Sequence, residues 1–211
     1  MTVRVLLDSW THSAVHEWPY RWLSTEDGQL LAPENAVQLA CGFPDAAFTR
    51  YDESARRGRK SYRNFSRELV APDGSADDHL PPLWRDLLAD LLDPAYRRAV
   101  AELLAQPPAR RLEVRLVRHT AGDWLSPHTD RADKRFSHIL YFNPGWQADW
   151  GGCLEILESH DANTVVARVV PRLGTSALLV RAVNSWHQVT AVAPGAAVSS
   201  DRMSLLVHGL Q

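Results

Sequence analysis

From Arg111 to His208 the chain is written in short segments rich in β-branched and aromatic residues, and this pattern limits the fold more than any other feature. The segments are RLEVRLVRH (111–119), FSHILYF (136–142), CLEIL (153–157), TVVARVV (164–170), SALLV (176–180), QVTAV (188–192) and RMSLLVH (202–208). Gly, Pro, Asn and Asp punctuate the intervals, as they do between strands. Parallel strands need long, usually helical crossovers, and none of these intervals has helical periodicity. The expected core is therefore an antiparallel sandwich or cupin-like jelly roll.

Upstream of Pro107-Pro108 the style changes. VRVLL (3–7) is expected as a strand, and Pro33-Glu34-Asn35 opens an amphipathic stretch, AVQLA, that stops near Gly42 and Pro44. TRYDESARRGRK (49–60) reads as an exposed polar loop, with Arg56, Arg57, Arg59 and Lys60 as a basic cluster on a solvated face. After the turn-like APDGSADD (71–78), Pro81-Pro82 lead into LWRDLLADLL, whose leucines recur at helical spacing, and Pro94 opens a second helix, AYRRAVAELLA. The expectation is one mainly β domain with flanking helices: a helix-rich part over 1–108 bracing a sheet, and a jelly-roll core over 109–211.

A chain of 211 residues can bury a full hydrophobic core. A net charge of −2 gives no electrostatic footprint for nucleic acid or an anionic membrane. No apolar run approaches the roughly 18 residues of a membrane span, and no signal-peptide layout is present, so a cytoplasmic location is expected. Cys41 and Cys153, in no paired spacing, read as buried small hydrophobes. Of eight tryptophans, Trp124, Trp146, Trp150 and Trp186 crowd the segment with the chemistry described next, either walling a pocket or filling the barrel mouth.

In Ser-Pro-His-Thr-Asp (126–130), His128 and Asp130 would share one face of an extended segment. An imidazole beside a carboxylate suits iron(II), manganese or zinc. Taken alone the spacing is common, and a surface turn is its default reading. His187, in Asn-Ser-Trp-His-Gln-Val, begins a later strand that a barrel can bring back beside the first pair. Two histidines and one carboxylate on one face leave open positions for co-substrate and oxygen, as in non-haem iron oxygenases. The other histidines, His138 and His208 among them, have no comparable company in the sequence. Further on, Arg202 and Ser204 share a face of the last strand by the same alternation. A guanidinium fork grips a carboxylate at two points, and a dicarboxylate chelating a metal at one end needs such a grip at the other.

In this order the residues resemble the prolyl 4-hydroxylase-like branch of the iron(II)/2-oxoglutarate-dependent dioxygenases. The landmarks are RHTAGDWLSPHTD (118–130), HILYFNPGW (138–146), WGGCLEIL (150–157), NSWHQV (184–189) and DRMSLLVHG (201–209). The resemblance implies a double-stranded β-helix, iron ligation by His128, Asp130 and His187, and capture of the distal 2-oxoglutarate carboxylate by Arg202 with help from Ser204. Tyr141 falls where the family often hydrogen-bonds 2-oxoglutarate, and Gly151-Gly152 match a family glycine pair. Two departures stand out: His119 replaces a tyrosine of many relatives, and Arg202 a lysine of many prolyl hydroxylases. Related halogenases carry Gly or Ala at the position of Asp130, so the carboxylate implies hydroxylation, desaturation or ring closure.

The implied enzyme is a hydroxylase that consumes O2 and 2-oxoglutarate and releases succinate and CO2 as it oxidises an unactivated C–H bond. The expected substrate is a small molecule: an amino acid, a carrier-tethered residue or a natural-product intermediate. Peptidyl proline in a protein is the alternative substrate. Arg131, Trp124, Trp186 and His119 are the candidate pocket residues. From a different class comes a non-catalytic jelly roll that binds metal as a sensor or binding module. A zinc hydrolase would leave Arg202 and Ser204 without a role.

Overall fold

The computed structural model describes residues 5–7, 14–25, 30–54, 60–77, 79–194 and 201–211. Arg56, Arg57 and Arg59 of the basic cluster lie outside these residues, as does the start of VRVLL. In chain order the elements are β1 (Trp22–Thr25), α1 (Pro33–Cys41), β2 (Thr49–Asp52), β3 (Arg63–Val70), α2 (Pro82–Leu92) and α3 (Pro94–Leu104). There follow β4 (Arg111–His119), β5 (Leu125–His128), β6 (Lys134–Tyr141), β7 (Leu154–Leu157), β8 (Val165–Val169), β9 (Ser176–Val180), β10 (His187–Val189) and β11 (Arg202–Leu210).

Each helix opens on a proline, whose fixed φ suits the first turn. Asp93 also caps α3, accepting a hydrogen bond from the Ala95 amide at 2.7 Å. The buried stripes of α2 (Trp84, Leu87, Leu91) and α3 (Tyr96, Val100, Leu104) cover one face of a seven-stranded antiparallel sheet ordered β1-β9-β6-β11-β4-β3-β2. Val114, Leu116, Leu140, Leu205 and Val207 meet them there. The opposite face meets a four-stranded sheet, β5-β10-β7-β8, across a smaller core in which Ile139, Tyr141 and Leu179 pack with Leu154, Ile156 and Val169. This is the expected double-stranded β-helix with helices bracing one sheet.

Alternation along β11 decides what faces where. Leu205 and Val207 turn to the helices, whereas Arg202, Ser204, Leu206 and His208 turn between the sheets. Every polar side chain on that second face is buried: Arg202, Ser204 and His208 are 2%, 0% and 5% exposed. The space between the sheets is thus where the buried polar side chains of β11 gather.

Several expectations are changed by the fold. The first half, read as mixed and helix-rich, also supplies β1, β2 and β3 to the large sheet. β3 carries polar residues on both faces, so no alternation marks it, and part of the expected loop 49–60 is β2, an edge strand exposed along its length. Within VRVLL, Val5 makes only an isolated bridge to Leu31. β5 is a separate strand that ends at His128, so Asp130 lies beyond it and strand alternation does not aim its side chain. Cys153 is buried as expected, but Cys41 is exposed. No helix among the described residues is long and apolar enough to cross a membrane.

Candidate active site

Strand pairing brings the two histidines together. β5 and β10 are neighbours with His128 directly opposite His187, and their ring centroids lie 4.2 Å apart. The Nδ1 of His128 bonds the Ser126 carbonyl at 3.0 Å, and that of His187 bonds the Ser185 carbonyl at 2.9 Å. A carbonyl only accepts, so each Nδ1 carries the proton and each Nε2 keeps its lone pair for a metal. Burial, followed by the neighbouring His187 and Lys60, holds His128 well below the ordinary imidazole range; burial also lowers His187. Both rings are therefore neutral, the form in which histidine ligates.

Asp130 completes the group: ligand atoms of His128, Asp130 and His187 all lie within 4.8 Å of one another. The carboxylate is positioned from behind. Lys134 donates to Oδ1 at 2.8 Å, and the Ser137 hydroxyl donates to Oδ2 at 2.6 Å. Burial by itself would push this carboxyl up, but Lys134 and then the surrounding histidines hold it well below the usual carboxylate range. Two neutral nitrogens and one anionic oxygen, converging in a buried space, fit a divalent first-row metal.

Beside the triad lies a cradle built around Arg202. Cross-strand pairing sets Arg202 opposite His119 and Ser204 opposite Tyr141. The Arg202 Nε donates to the Gly152 carbonyl at 2.6 Å, and one terminal nitrogen reaches His119 Nδ1 and Ser204 Oγ, each at 3.3 Å. The guanidinium lies 5.0 Å from the centre of the Tyr141 ring. No carboxylate among the described residues pairs with this buried cation. Around it His119 Nε2 is buried without a hydrogen-bond partner, and the Tyr141 hydroxyl is buried with no partner but the guanidinium itself. Because an arginine only donates, His119 accepts at Nδ1 and carries its proton on Nε2, an unanswered donor. A buried cation flanked by an unanswered donor and a buried hydroxyl fits an anionic, hydrogen-bonding ligand such as a carboxylate.

Gly151 and Gly152 make that cradle possible. Both hold positive φ, and a Cβ on Gly152 would stand 2.9 Å from Arg202 Cδ. The Trp146 indole donates to the Gly151 carbonyl at 2.9 Å and braces the turn.

Over residues 114–207 the chain matches the 2OG-Fe(II) oxygenase superfamily. No curated protein sequence matches the chain. Among solved structures, a prolyl-4-hydroxylase from Pseudomonas putida is similar at TM-score 0.63 and 20% identity, covering 98% of this chain and 97% of that one. A 2OG-Fe(II) oxygenase family oxidoreductase from Burkholderia pseudomallei is similar at TM-score 0.62 and 13% identity, covering 89% of this chain and 84% of that one. A Trichoplax adhaerens prolyl hydroxylase, in complex with a hypoxia inducible factor oxygen degradation domain peptide fragment, is similar at TM-score 0.64 and 12% identity, covering 98% and 87%. The fold is thus of the prolyl-hydroxylase type. The matched superfamily implies iron(II), 2-oxoglutarate and O2 as cofactor and co-substrates, and His128, Asp130 and His187 could hold the metal.

The remaining sequence candidates are dispersed. His119 sits buried beside Arg202, in the cradle and not in an outer pocket. Arg131 is engaged within the chain, by Glu113 at 2.8 Å and Asp133 at 3.1 Å. Trp124 is stacked under the Arg63 guanidinium, and Trp186 lies beside the exposed His160. Lys134, Ser137 and His208 were not singled out by sequence. His208 had a usable signal, since the alternation joining Arg202 to Ser204 reaches it two steps further along β11. Tyr20 had none: it enters the inter-sheet core from the N-terminal part, with a buried, unpartnered hydroxyl.

Proposed function

We propose that this oxygenase holds iron(II) through His128, Asp130 and His187, and 2-oxoglutarate through Arg202, Ser204 and Tyr141, in order to hydroxylate a C–H bond of a small molecule. The observation that carries the reading is the buried Arg202 guanidinium, which has no carboxylate partner among the described residues and lies beside an unpartnered His119 Nε2–H and a buried Tyr141 hydroxyl whose one partner is that guanidinium. Leaving such a cation unpaired in a folded chain is costly, so the site is complementary to an anion supplied from outside. The bound cofactors supply the oxidising power, through decarboxylation of 2-oxoglutarate to succinate and CO2.

The chain's own residues then have distinct tasks. Ser126 and Ser185 carbonyls fix both histidine tautomers; Lys134 and Ser137 orient the Asp130 carboxylate; Gly152 and Ser204 aim the Arg202 fork. The sheets around Tyr141, Leu154 and Ile156 keep the space dry, which strengthens each polar contact inside it. No general base is required of the protein.

For the substrate, the exposed Lys60 is informative. It has no ion-pair partner among the described residues, and its charge acts on Asp130, His128 and His187. A segment hydrogen-bonded to β5 carries it there, through Ser61 and Ser126 at 2.8 and 2.9 Å. A small molecule bearing a carboxylate, free or carrier-tethered, suits that cation. The likeness to prolyl hydroxylases favours peptidyl proline as the second reading. Candidate amino acids and a proline-rich peptide are screened by succinate release, with mass spectrometry for a gain of one oxygen. Turnover of a small acid supports the first reading, and turnover of the peptide alone supports the second.

A further inference from the structure

Behind Asp130 lies a closed ring of hydrogen bonds whose directions follow from the chemistry of its members. Lys134, an ammonium, only donates: to Asp130 Oδ1 at 2.8 Å and to His208 Nε2 at 3.3 Å. His208 therefore carries its proton on Nδ1 and donates to Ser137 Oγ at 2.8 Å, while the Ser137 hydroxyl donates to Asp130 Oδ2 at 2.6 Å. The ring is buried, with Lys134, Ser137 and His208 at 7%, 3% and 5% exposure and the Asp130 side chain at 9%. Asp130 thus meets the full positive charge of Lys134 at one oxygen and a neutral donor, Ser137, at the other.

We propose that Lys134 sets how strongly this site takes a divalent cation: it stands in for the metal's charge when the metal is absent and opposes the metal when it arrives. The inference rests on reading Asp130 as a metal ligand. Its basis is that two cations must share one buried carboxylate, and their mutual repulsion weakens the second to bind. The choice of lysine fits this role. Of 23 cationic residues only Lys60 and Lys134 are lysines. A compact ammonium occupies one lone pair of one oxygen. A guanidinium fork would span both oxygens, displace Ser137 and compete directly with a metal.

A purely structural lysine predicts that any replacement loosens Asp130 and weakens metal binding. The charge role predicts opposite signs for different replacements. Mn(II) is titrated calorimetrically at pH 8 into the wild type and the variants Lys134→Gln, Lys134→Met, Lys134→Arg and His187→Ala, and apo melting temperatures are recorded. Lys134→Gln and Lys134→Met are expected to bind Mn(II) about tenfold more tightly or better, with lower apo melting temperatures. Lys134→Arg is expected to bind it more weakly than wild type. Unchanged or weaker binding by both Gln and Met variants overturns the proposal. A charge-free variant that folds only when Mn(II) is supplied supports it, and failure of both to fold even then overturns it. His187→Ala separates the two layers. If it binds Mn(II) like the wild type, or the wild type binds none, the triad itself is misread. If it alone fails to bind, the triad stands and the Lys134 comparison decides.

Discussion

Arg202→Met is expected to raise the 2-oxoglutarate dissociation constant by roughly 30-fold to more than 1,000-fold, the range of about 2–5 kcal/mol for losing one partner of a buried charge pair. The same variant should bind iron(II) or Mn(II) as the wild type does, because no Arg202 atom contacts His128, Asp130 or His187. Its apo melting temperature should not fall. In the wild type the guanidinium is buried without a carboxylate, so replacing it by an apolar chain of similar length removes an uncompensated charge. Loss of ligand binding without loss of stability is the signature of a group retained for its ligand. Tyr141→Phe makes the contrast: it removes one neutral hydroxyl, for an expected weakening of about 2–10-fold. Calorimetric titration with 2-oxoglutarate in the presence of Mn(II) measures both. A destabilised Arg202→Met with unchanged affinity would show instead a structural arginine.

Asp130→Ala should act in two ways at once. Metal affinity should fall beyond the ~10–100-fold typical of removing a supporting group, since the only anionic ligand of the triad is gone. The apo protein should also lose about 3–5 kcal/mol, because Lys134 would be left buried, with only His208 as a hydrogen-bond partner. Urea unfolding of the metal-free protein tests the second effect independently of the first. In the double variant Asp130→Ala/Lys134→Met the stability loss should shrink, while metal binding stays absent. A single variant as stable as wild type would mean that the Lys134–Asp130 pair is not the buried charge pair its geometry indicates.

Much of this was legible in the sequence, for identifiable reasons. The strands of the C-terminal half read as short β-branched, apolar-rich runs because one face of the large sheet meets helices and the other a second sheet; β4 and β9 fall over Arg111–His119 and Ser176–Val180, the spans expected. The helices announced themselves by prolines at their first positions and leucines at helical spacing. Along β11, period two correctly put Arg202 and Ser204 together. β3 was hidden because neither of its faces is uniformly apolar, and β5 because a four-residue Leu-Ser-Pro-His strand offers almost no pattern. Asp130 came to the right place by a reason alternation does not supply: it lies past the end of β5 and is held by Lys134 and Ser137 on β6. Such contacts join residues through space, as does the approach of Tyr20 to the inter-sheet core. The cradle role of His119 was open in sequence, and the unsatisfied Nε2 beside Arg202 is what the fold adds.

On the proposed function, the buried space between the sheets holds iron(II) and 2-oxoglutarate together, the metal on His128, Asp130 and His187 and the co-substrate's far carboxylate on Arg202. Anaerobic addition of iron(II) and then 2-oxoglutarate, followed by visible absorption, tests this most directly. The expected result is a weak charge-transfer band that saturates with both additions, disappears in Asp130→Ala, and in Arg202→Met needs far more 2-oxoglutarate to form. Absence of the band in the wild type, together with no heat of 2-oxoglutarate binding in the calorimeter, would contradict it.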